Sequence, residues 1–263
     1  MNASGQVVGW SETAAVNHHA FSWTQAGGMV DLGTLPGGAW SEAVALNDSG
    51  QVVGTSNAKA PYDNIAFLWT QAGGMVDLGT LPGIPWSQAT AVNASGQVIG
   101  YNNLVGQPPG SPFSWTQAGG MVKICSCEGP ATAVNDSGLV VGYDVNFKTG
   151  AIAAFFWTQT DGIFFVGPSP SIFNAVNNHG EIVGQCSGHA AVWRLVPDIT
   201  LKSPNDGQEF TACSYYDLPS FQWDTNKIFN SIQVLFYSHD DPTKLVKVKA
   251  EGTSKEFLMP SSL

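Results

Sequence analysis

Three groups of residues in this 263-residue chain have types and spacings that could do chemistry. The first is nitrogen and sulfur. His18 and His19 are adjacent, and on a strand neighbouring side chains point to opposite faces, so the pair cannot share one metal ion. Cys186-Ser187-Gly188-His189 has a spacing seen in zinc sites, and Cys125 and Cys127 would complete four ligands. The two halves lie far apart in sequence with nothing to join them, so no metal is expected. The second group is oxygen. Asn47-Asp48-Ser49-Gly50 and its equivalents could offer ligands to calcium, but a calcium loop needs a late carboxylate, and Gln51-Val52-Val53-Gly54 follows instead. Asn2, Asn47, Asn93 and Asn135 also fit the glycosylation acceptor pattern, although their fixed tie to a turn is sufficient explanation for them. His179 occupies the same turn where other copies place Ser4, Ser49, Ser95 or Ser137.

The third group combines aromatic rings with amides and carboxylates: Trp40, Trp86, Tyr62, Asp63, Tyr101, Asn102, Asn103, Tyr143 and Asp144. Flat rings offer contact area at little entropic cost, and neighbouring polar groups fix orientation, which suits a sugar or a protein surface. Trp40 and Trp86 have a second reading, as caps packed over the ends of the sheets. No HExxH, GxSxG, phosphate loop or dinucleotide fingerprint occurs. Asp31 and Asp77 stand at equivalent positions where Lys123 and Phe165 follow. Repetition of that kind marks a structural job, so no catalytic residue, cofactor or enzyme activity is expected.

The elements that must position these residues are repeated. Gly-Gln-Val-Val-Gly at 5–9 and 50–54 recurs as GQVIG at 96–100, GLVVG at 138–142 and GEIVG at 180–184. Trp23, Trp69, Trp115, Trp157 and Trp193 keep the same beat. Each unit reads as four short strands, A to D, rich in β-branched and aromatic residues and bounded by Gly, Asn and Ser turns. No run reaches the length of a helix. Four antiparallel strands per unit, repeated, predict an all-β fold: a β-propeller of four-stranded antiparallel blades over residues 1–197, whose recurrent tryptophan fills the space between blades. The first unit lacks strand A, three units are complete, and the fifth lacks a clear strand D. We therefore expect a chain that begins in mid-unit, with a leader and further repeats upstream.

Residues 198–263 differ. Charged residues number 16 among positions 1–198 and 14 in the much shorter remainder, and the repeat stops. Ile199–Pro204, Phe221–Asp224, Ile232–Tyr237 and Leu245–Ala250 read as strands of a partial β-sandwich, similar to the front of an immunoglobulin-like or fibronectin-like module. Four cysteines allow three pairings. Cys125 and Cys127 are too close for an ordinary strand-to-strand bridge, and both a Cys186–Cys213 link and buried free thiols are compatible with the sequence.

Composition excludes some partners. The formal net charge is −10 and Arg194 is the sole arginine, so neither nucleic acid nor an anionic membrane surface would attract the chain. No run of apolar residues is long enough for a membrane-spanning helix. Only 11% of residues are charged, so the surface must be built from Gly, Ser, Thr, Asn and Gln.

His19-Ala20-Phe21-Ser22-Trp23, followed by Gly28-Met29-Val30-Asp31-Leu32-Gly33-Thr34-Leu35-Pro36-Gly37-Gly38, resembles the HAF repeat, a family of extracellular bacterial repeats. Ala45 to Gly54 matches its other half, and the resemblance covers roughly residues 2–196. It departs at Ile65-Ala66-Phe67 and Pro112-Phe113, which lack the histidine, and at Gly167-Pro168-Ser169-Pro170. The resemblance implies export, to the extracellular space or cell surface, and implies no reaction. In a four-stranded meander the A–B and C–D turns lie at one end, and the B–C loops and D-to-A connections at the other. The first end is monotonous and the second varies, and variable loops on a rigid frame are where binding is built. The resulting expectation is a secreted or cell-surface adhesion module whose variable face recognises a cell-surface polysaccharide or a protein partner. A structural spacer or surface-array component is the alternative, and a polysaccharide hydrolase or lyase a third reading.

Overall fold

The computed structural model describes residues 1–15, 17–58, 64–103, 110–147, 149–166 and 170–194, and beyond them five short strands. The described residues contain strands and turns and no helix. The first sheet has three strands, β1 (Val7–Glu12), β2 (His18–Thr24) and β3 (Gly28–Gly33). The second has four, β4 (Ser41–Leu46), β5 (Val52–Asn57), β6 (Asn64–Thr70) and β7 (Gly74–Asp77). The third comprises β8 (Trp86–Val92), β9 (Val98–Asn103), β10 (Pro112–Thr116) and β11 (Gly120–Lys123). The fourth comprises β12 (Ala131–Val134), β13 (Val140–Asn146), β14 (Ala151–Thr158) and β15 (Gly162–Val166). The fifth is three-stranded, β16 (Ser171–Val176), β17 (Glu181–Cys186) and β18 (His189–Arg194). All five are antiparallel meanders in sequence order, and the unit boundaries are those the repeat predicts.

In the remaining segment β19 (Glu209–Thr211) runs parallel to β21 (Ser231–Tyr237), which pairs antiparallel with β22 (Leu245–Glu251). A separate pair joins β20 (Phe221–Gln222) to β23 (Glu256–Phe257). The strand expected at Ile199–Pro204 lies outside the described residues.

The second glycine of the repeated motif explains the shape of each sheet. Strand A carries a bulge at one equivalent place every time, between Ala43 and Ala45, Ala89 and Ala91, Ala131 and Ala133, and Phe173 and Ala175. The bulge drives the strand A backbone onto strand B: a Cβ on Gly54 would stand 1.9 Å from the Glu42 carbonyl oxygen, and one on Gly100 1.9 Å from that of Gln88. Only glycine tolerates this approach. On strand C, Phe67, Phe113 and Phe155 pair with these glycines and are fully buried.

The first glycine closes the A–B turn. Gly50 has φ of 80°, and the asparagine three residues earlier organises the rest. The Asn47 Oδ1 accepts the Ser49 N–H (3.1 Å), the Ser49 hydroxyl (2.8 Å) and the Gln51 N–H (3.0 Å). Its Nδ2 donates to the Asn93 carbonyl in the next unit at 2.9 Å. Asn2 donates likewise to Asn47, Asn93 to Asn135, and Asn135 to Asn177, at 3.2, 2.9 and 3.0 Å. An asparagine ladder thus runs the length of the array. With Asn47, Asn93 and Asn135 buried and every amide engaged, the acceptor-like sequence at these turns belongs to the frame. The His179 N–H donates to the Asn177 Oδ1 at 2.9 Å, as serine does in the other turns.

Successive sheets meet face to face in seams. Each seam joins one face of a sheet, carrying residues such as Val53, Ala66, Leu68 and Leu78, to the opposite face of the next, carrying Val98, Phe113, Trp115 and Met121. The recurrent tryptophan always belongs to the later sheet: Trp69 packs with Ala20, Leu32 and Leu35, Trp157 with Ile99 and Ile124, and Trp193 with Val141, Ala154 and Phe156. Polar bolts reinforce the seams. The Ser41 hydroxyl accepts the Ala20 N–H at 2.8 Å and donates to the Gly33 carbonyl at 2.6 Å, and Ser87 joins Ala66 and Gly79 in the same way. Cys125 and Cys127 form a local disulfide within the connection from β11 to β12, a pairing the sequence argument had set aside. Cys186 is also disulfide-bonded, which removes the free-thiol reading for it, and Cys213 lies outside the described residues.

Candidate functional site

The residue following the second glycine of each motif lies in the half of strand B nearer the loop end. It is Trp10 in the first sheet, Thr55 in the second, Tyr101 in the third, Tyr143 in the fourth and Gln185 in the fifth. The D-to-A connection enters the same end, bringing Trp40 over the first seam and Trp86 into the equivalent place over the second. One backbone frame therefore presents Trp, Thr, Tyr, Tyr and Gln at the equivalent position of successive sheets.

At the first seam these positions converge. The Trp10 and His18 ring centroids are 5.0 Å apart at 54°, and those of His18 and Trp40 5.3 Å apart at 40°. Three rings thus form a row with the imidazole in the middle. The Glu42 Oε1 lies 3.2 Å from His18 Nε2, an ion-pair distance without the alignment of a hydrogen bond. Trp10 is 53% exposed. The backbone beneath Trp40 is held firmly: the Ala39 and Trp40 N–H groups donate to the Asn57 Oδ1 at 2.7 and 2.8 Å. The Trp40 carbonyl accepts the Ser56 hydroxyl and the Asn57 N–H at 3.0 and 3.2 Å. The other histidine points to the opposite face, where His19 Nδ1 meets Asp31 Oδ2 at 2.9 Å. Partial burial works against ionisation of Asp31, but the Gly33 amide and His19 outweigh it and hold the carboxyl below its ordinary value.

The second seam mouth holds Thr55 and Trp86. Both the Thr55 hydroxyl and the Trp86 indole Nε1 are shielded from solvent and have no hydrogen-bond partner among the described residues. At the third, the Tyr101 hydroxyl donates to the Gln88 Oε1. Burial, and secondarily the neighbouring Tyr143, push its phenol above the ordinary value.

The sequence-selected residues therefore divide. Trp40 joins an aromatic cluster, and Tyr101 and Tyr143 occupy seam mouths. Asn102 is a correction: it is 0% exposed, and its Oδ1 accepts the Leu81 N–H at 2.8 Å, as the Ser56 hydroxyl accepts that of Leu35. It fastens the Leu-Pro-Gly connection and has no surface to offer. Asp144 is fastened comparably, its Oδ1 accepting the Glu128 N–H at 2.7 Å. Asn103 ends β9 opposite Trp86. Tyr62 and Asp63 lie outside the described residues. Sequence reasoning missed Trp10 and Glu42, and weighed His18 only as a metal ligand. Aligning the residue after each GxxxG motif would have placed Trp10 beside Tyr101 and Tyr143. No group of three or more potential metal ligands occurs among the described residues.

No family model matches this chain, and no curated protein does. Among solved structures, it is similar to a protein named for gluconolactonase activity, with 11% identity and a TM-score of 0.40 over 66% of each chain, just under two thirds of that protein's length. It is also similar to AofleA of Arthrobotrys oligospora, with 12% identity and a TM-score of 0.37 over 97% of this chain and 85% of that one. A triple arginine-to-alanine mutant of AofleA gives 12% identity and a TM-score of 0.35 over 98% and 80%. At these scores the likenesses carry no functional weight. No helix among the described residues is long and apolar enough to cross a membrane.

Proposed function

We propose that this chain is a secreted or cell-surface binding module of HAF-repeat type, its sheets arranged as propeller blades, which holds a cell-surface polysaccharide at the loop end. The observation that carries the reading is the row Trp10–His18–Trp40 with Glu42 beside it. Sugar rings present C–H groups to aromatic faces and hydroxyls to carboxylates, and this cluster supplies both within one seam mouth. Each aromatic anchor removed should weaken binding about tenfold, roughly 1.4 kcal/mol.

The test is native gel electrophoresis in gels cast with neutral and acidic polysaccharides, run beside the Trp10→Ala/Trp40→Ala double variant. Retardation of the parent on at least one gel, lost in a variant with an unchanged melting temperature, is the expected outcome. Equal retardation of parent and folded variant would refute the site. No retardation on any gel would leave a protein partner as the better reading.

A further inference from the structure

The first, second and fourth seams carry a polar bolt, and the third does not. Ser41 and Ser87 bolt the first two, and at the fourth the Ser171 hydroxyl accepts the Ala154 N–H and donates to the Val166 carbonyl, both at 3.0 Å. Each bolt needs an N–H just before the buried phenylalanine of strand C and a hydroxyl at the start of strand A. At the third seam the first position is Pro112, which has no N–H, and the second is Gly129, which has no hydroxyl. A serine does not fit at that glycine, because a Cβ on Gly129 would stand 2.0 Å from the Tyr143 carbonyl oxygen. Both partners of the bolt are therefore absent together.

The connection over this seam is built differently. Gly33 to Ser41 and Gly79 to Ser87 each span eight positions, whereas Cys125 to Gly129 spans four. Cys125 stands in the place of Gly33 and Gly79, directly after Ile124, whose N–H donates to the Pro112 carbonyl at 2.9 Å as that of Leu78 does to Ala66. Cys127 takes the place of the buried Leu35 and Leu81. It is itself buried, in a cluster that joins Ile99 of the third sheet to Ala131, Val140 and Phe155 of the fourth. The next residue, Glu128, is tied to Asp144 of the fourth sheet through its N–H. The Cys125–Cys127 bond thus runs from the end of the third sheet to a side chain embedded against the fourth, at the seam that has no bolt.

We propose that this disulfide is the clasp of the third seam and makes that seam sensitive to reduction. A dithiol supplies the electrons. Its first thiolate attacks the Cys125 sulfur, the less buried of the two, and Cys127 leaves as a thiolate. The second thiolate then displaces the Cys125 sulfur. One S–S bond breaks in the protein, one forms in the reagent, and the two cysteines end as thiols carrying the two protons the dithiol gave up. Opening so small a ring returns chain entropy to the connection, enough to favour local opening by about tenfold. The loosening reaches the loop end, because the same connection backs onto the Tyr143 carbonyl through Gly129 and onto Asp144 through Glu128. The first and second seams keep their bolts and do not respond.

The experiment is hydrogen–deuterium exchange read by mass spectrometry, on the parent with and without dithiothreitol and on two variants, Cys125→Ser/Cys127→Ser and Cys125→Ser/Cys127→Val. Thiol labelling of the folded parent reports whether the bond has opened. Amides of residues 124–131 and 141–145 should exchange about tenfold faster in the reduced parent, while those of 33–41 and 79–87 stay as they were. Both variants should exchange like the reduced parent without any reagent, and the reagent should add nothing at these residues. Because the variants keep the disulfide of Cys186, they separate the clasp from that second bond. A Cys125→Ser/Cys127→Val variant that exchanges as slowly as the oxidised parent would overturn the proposal, since apolar filling rather than the bond would then hold the seam. So would labelled, reduced parent with unchanged exchange, equal acceleration at all the seams, or a bond that dithiothreitol leaves closed in the folded protein.

Discussion

The two ends of the stacked sheets are built from the same repeat and put to opposite uses. At the turn end, one asparagine per unit accepts up to three hydrogen bonds and passes another to the next unit, so its chemistry is fully consumed in holding neighbours together. At the loop end, the residue after each GxxxG motif varies, as Trp10, Thr55, Tyr101, Tyr143 and Gln185. A position whose polar atoms are all engaged cannot drift in sequence, while one that projects from a seam mouth can be rewritten without disturbing the frame. Uniformity marks support and variation marks the place where recognition can be added.

That contrast can be broken by substitution. The largest effect is expected on the frame itself. Gly100→Ala places a methyl group 1.9 Å from the Gln88 carbonyl and 2.8 Å from the Phe113 ring, so strands β8 and β9 must part. Chemical denaturation should show a loss of about 4 kcal/mol or more, the range of severe core defects. Phe113→Ala, which empties a fully buried site beside the same glycine, should cost roughly 3–5 kcal/mol in the same assay. Asn93→Ala removes the ladder rung between the third and fourth sheets and leaves buried turn amides unsatisfied. It should cost about 2–4 kcal/mol.

On the loop end the comparison sharpens. Trp10→Ala should change stability by less than about 1 kcal/mol, because the ring is more than half exposed, yet weaken polysaccharide retardation about tenfold. The smallest effect concerns acid. Asp31 is held below its ordinary carboxyl value in the folded state, so its stabilising contribution is complete above that ordinary value of 3.8 and fades as pH falls through the lower folded value. Asp31→Asn should therefore melt like the parent at low pH and slightly below it near neutrality. A thermal scan at two pH values would check this.

Much of the frame was legible in the sequence because its causes are local. A glycine that must accept a carbonyl 1.9 Å from where its Cβ would be cannot be hidden by substitution, so the GxxxG motif gave away strands A and B and their spacing. The three strands of the first and fifth sheets among the described residues were legible too, because each strand carries its own recurrent residues. The site was read less well, because its geometry is set across a seam. Trp40 and His18 lie 22 positions apart in sequence and meet only when the first two sheets stack. Asn102 looked like a surface amide because it follows Tyr101, but alternation along β9 puts it on the opposite face, where it is buried and its Oδ1 accepts the Leu81 N–H. The sequence carries polarity and order, while burial is decided by the neighbouring unit.

The most direct test sets one variant of each end side by side: Asn93→Ala and Trp10→Ala/Trp40→Ala, each measured for melting temperature and for retardation in polysaccharide gels at a temperature where both are folded. The account predicts a crossover, with the turn variant melting several degrees lower but retarded like the parent, and the loop variant melting like the parent but no longer retarded. Loss of retardation in the turn variant, or its survival in the loop variant, would contradict the division between a supporting end and a recognising one.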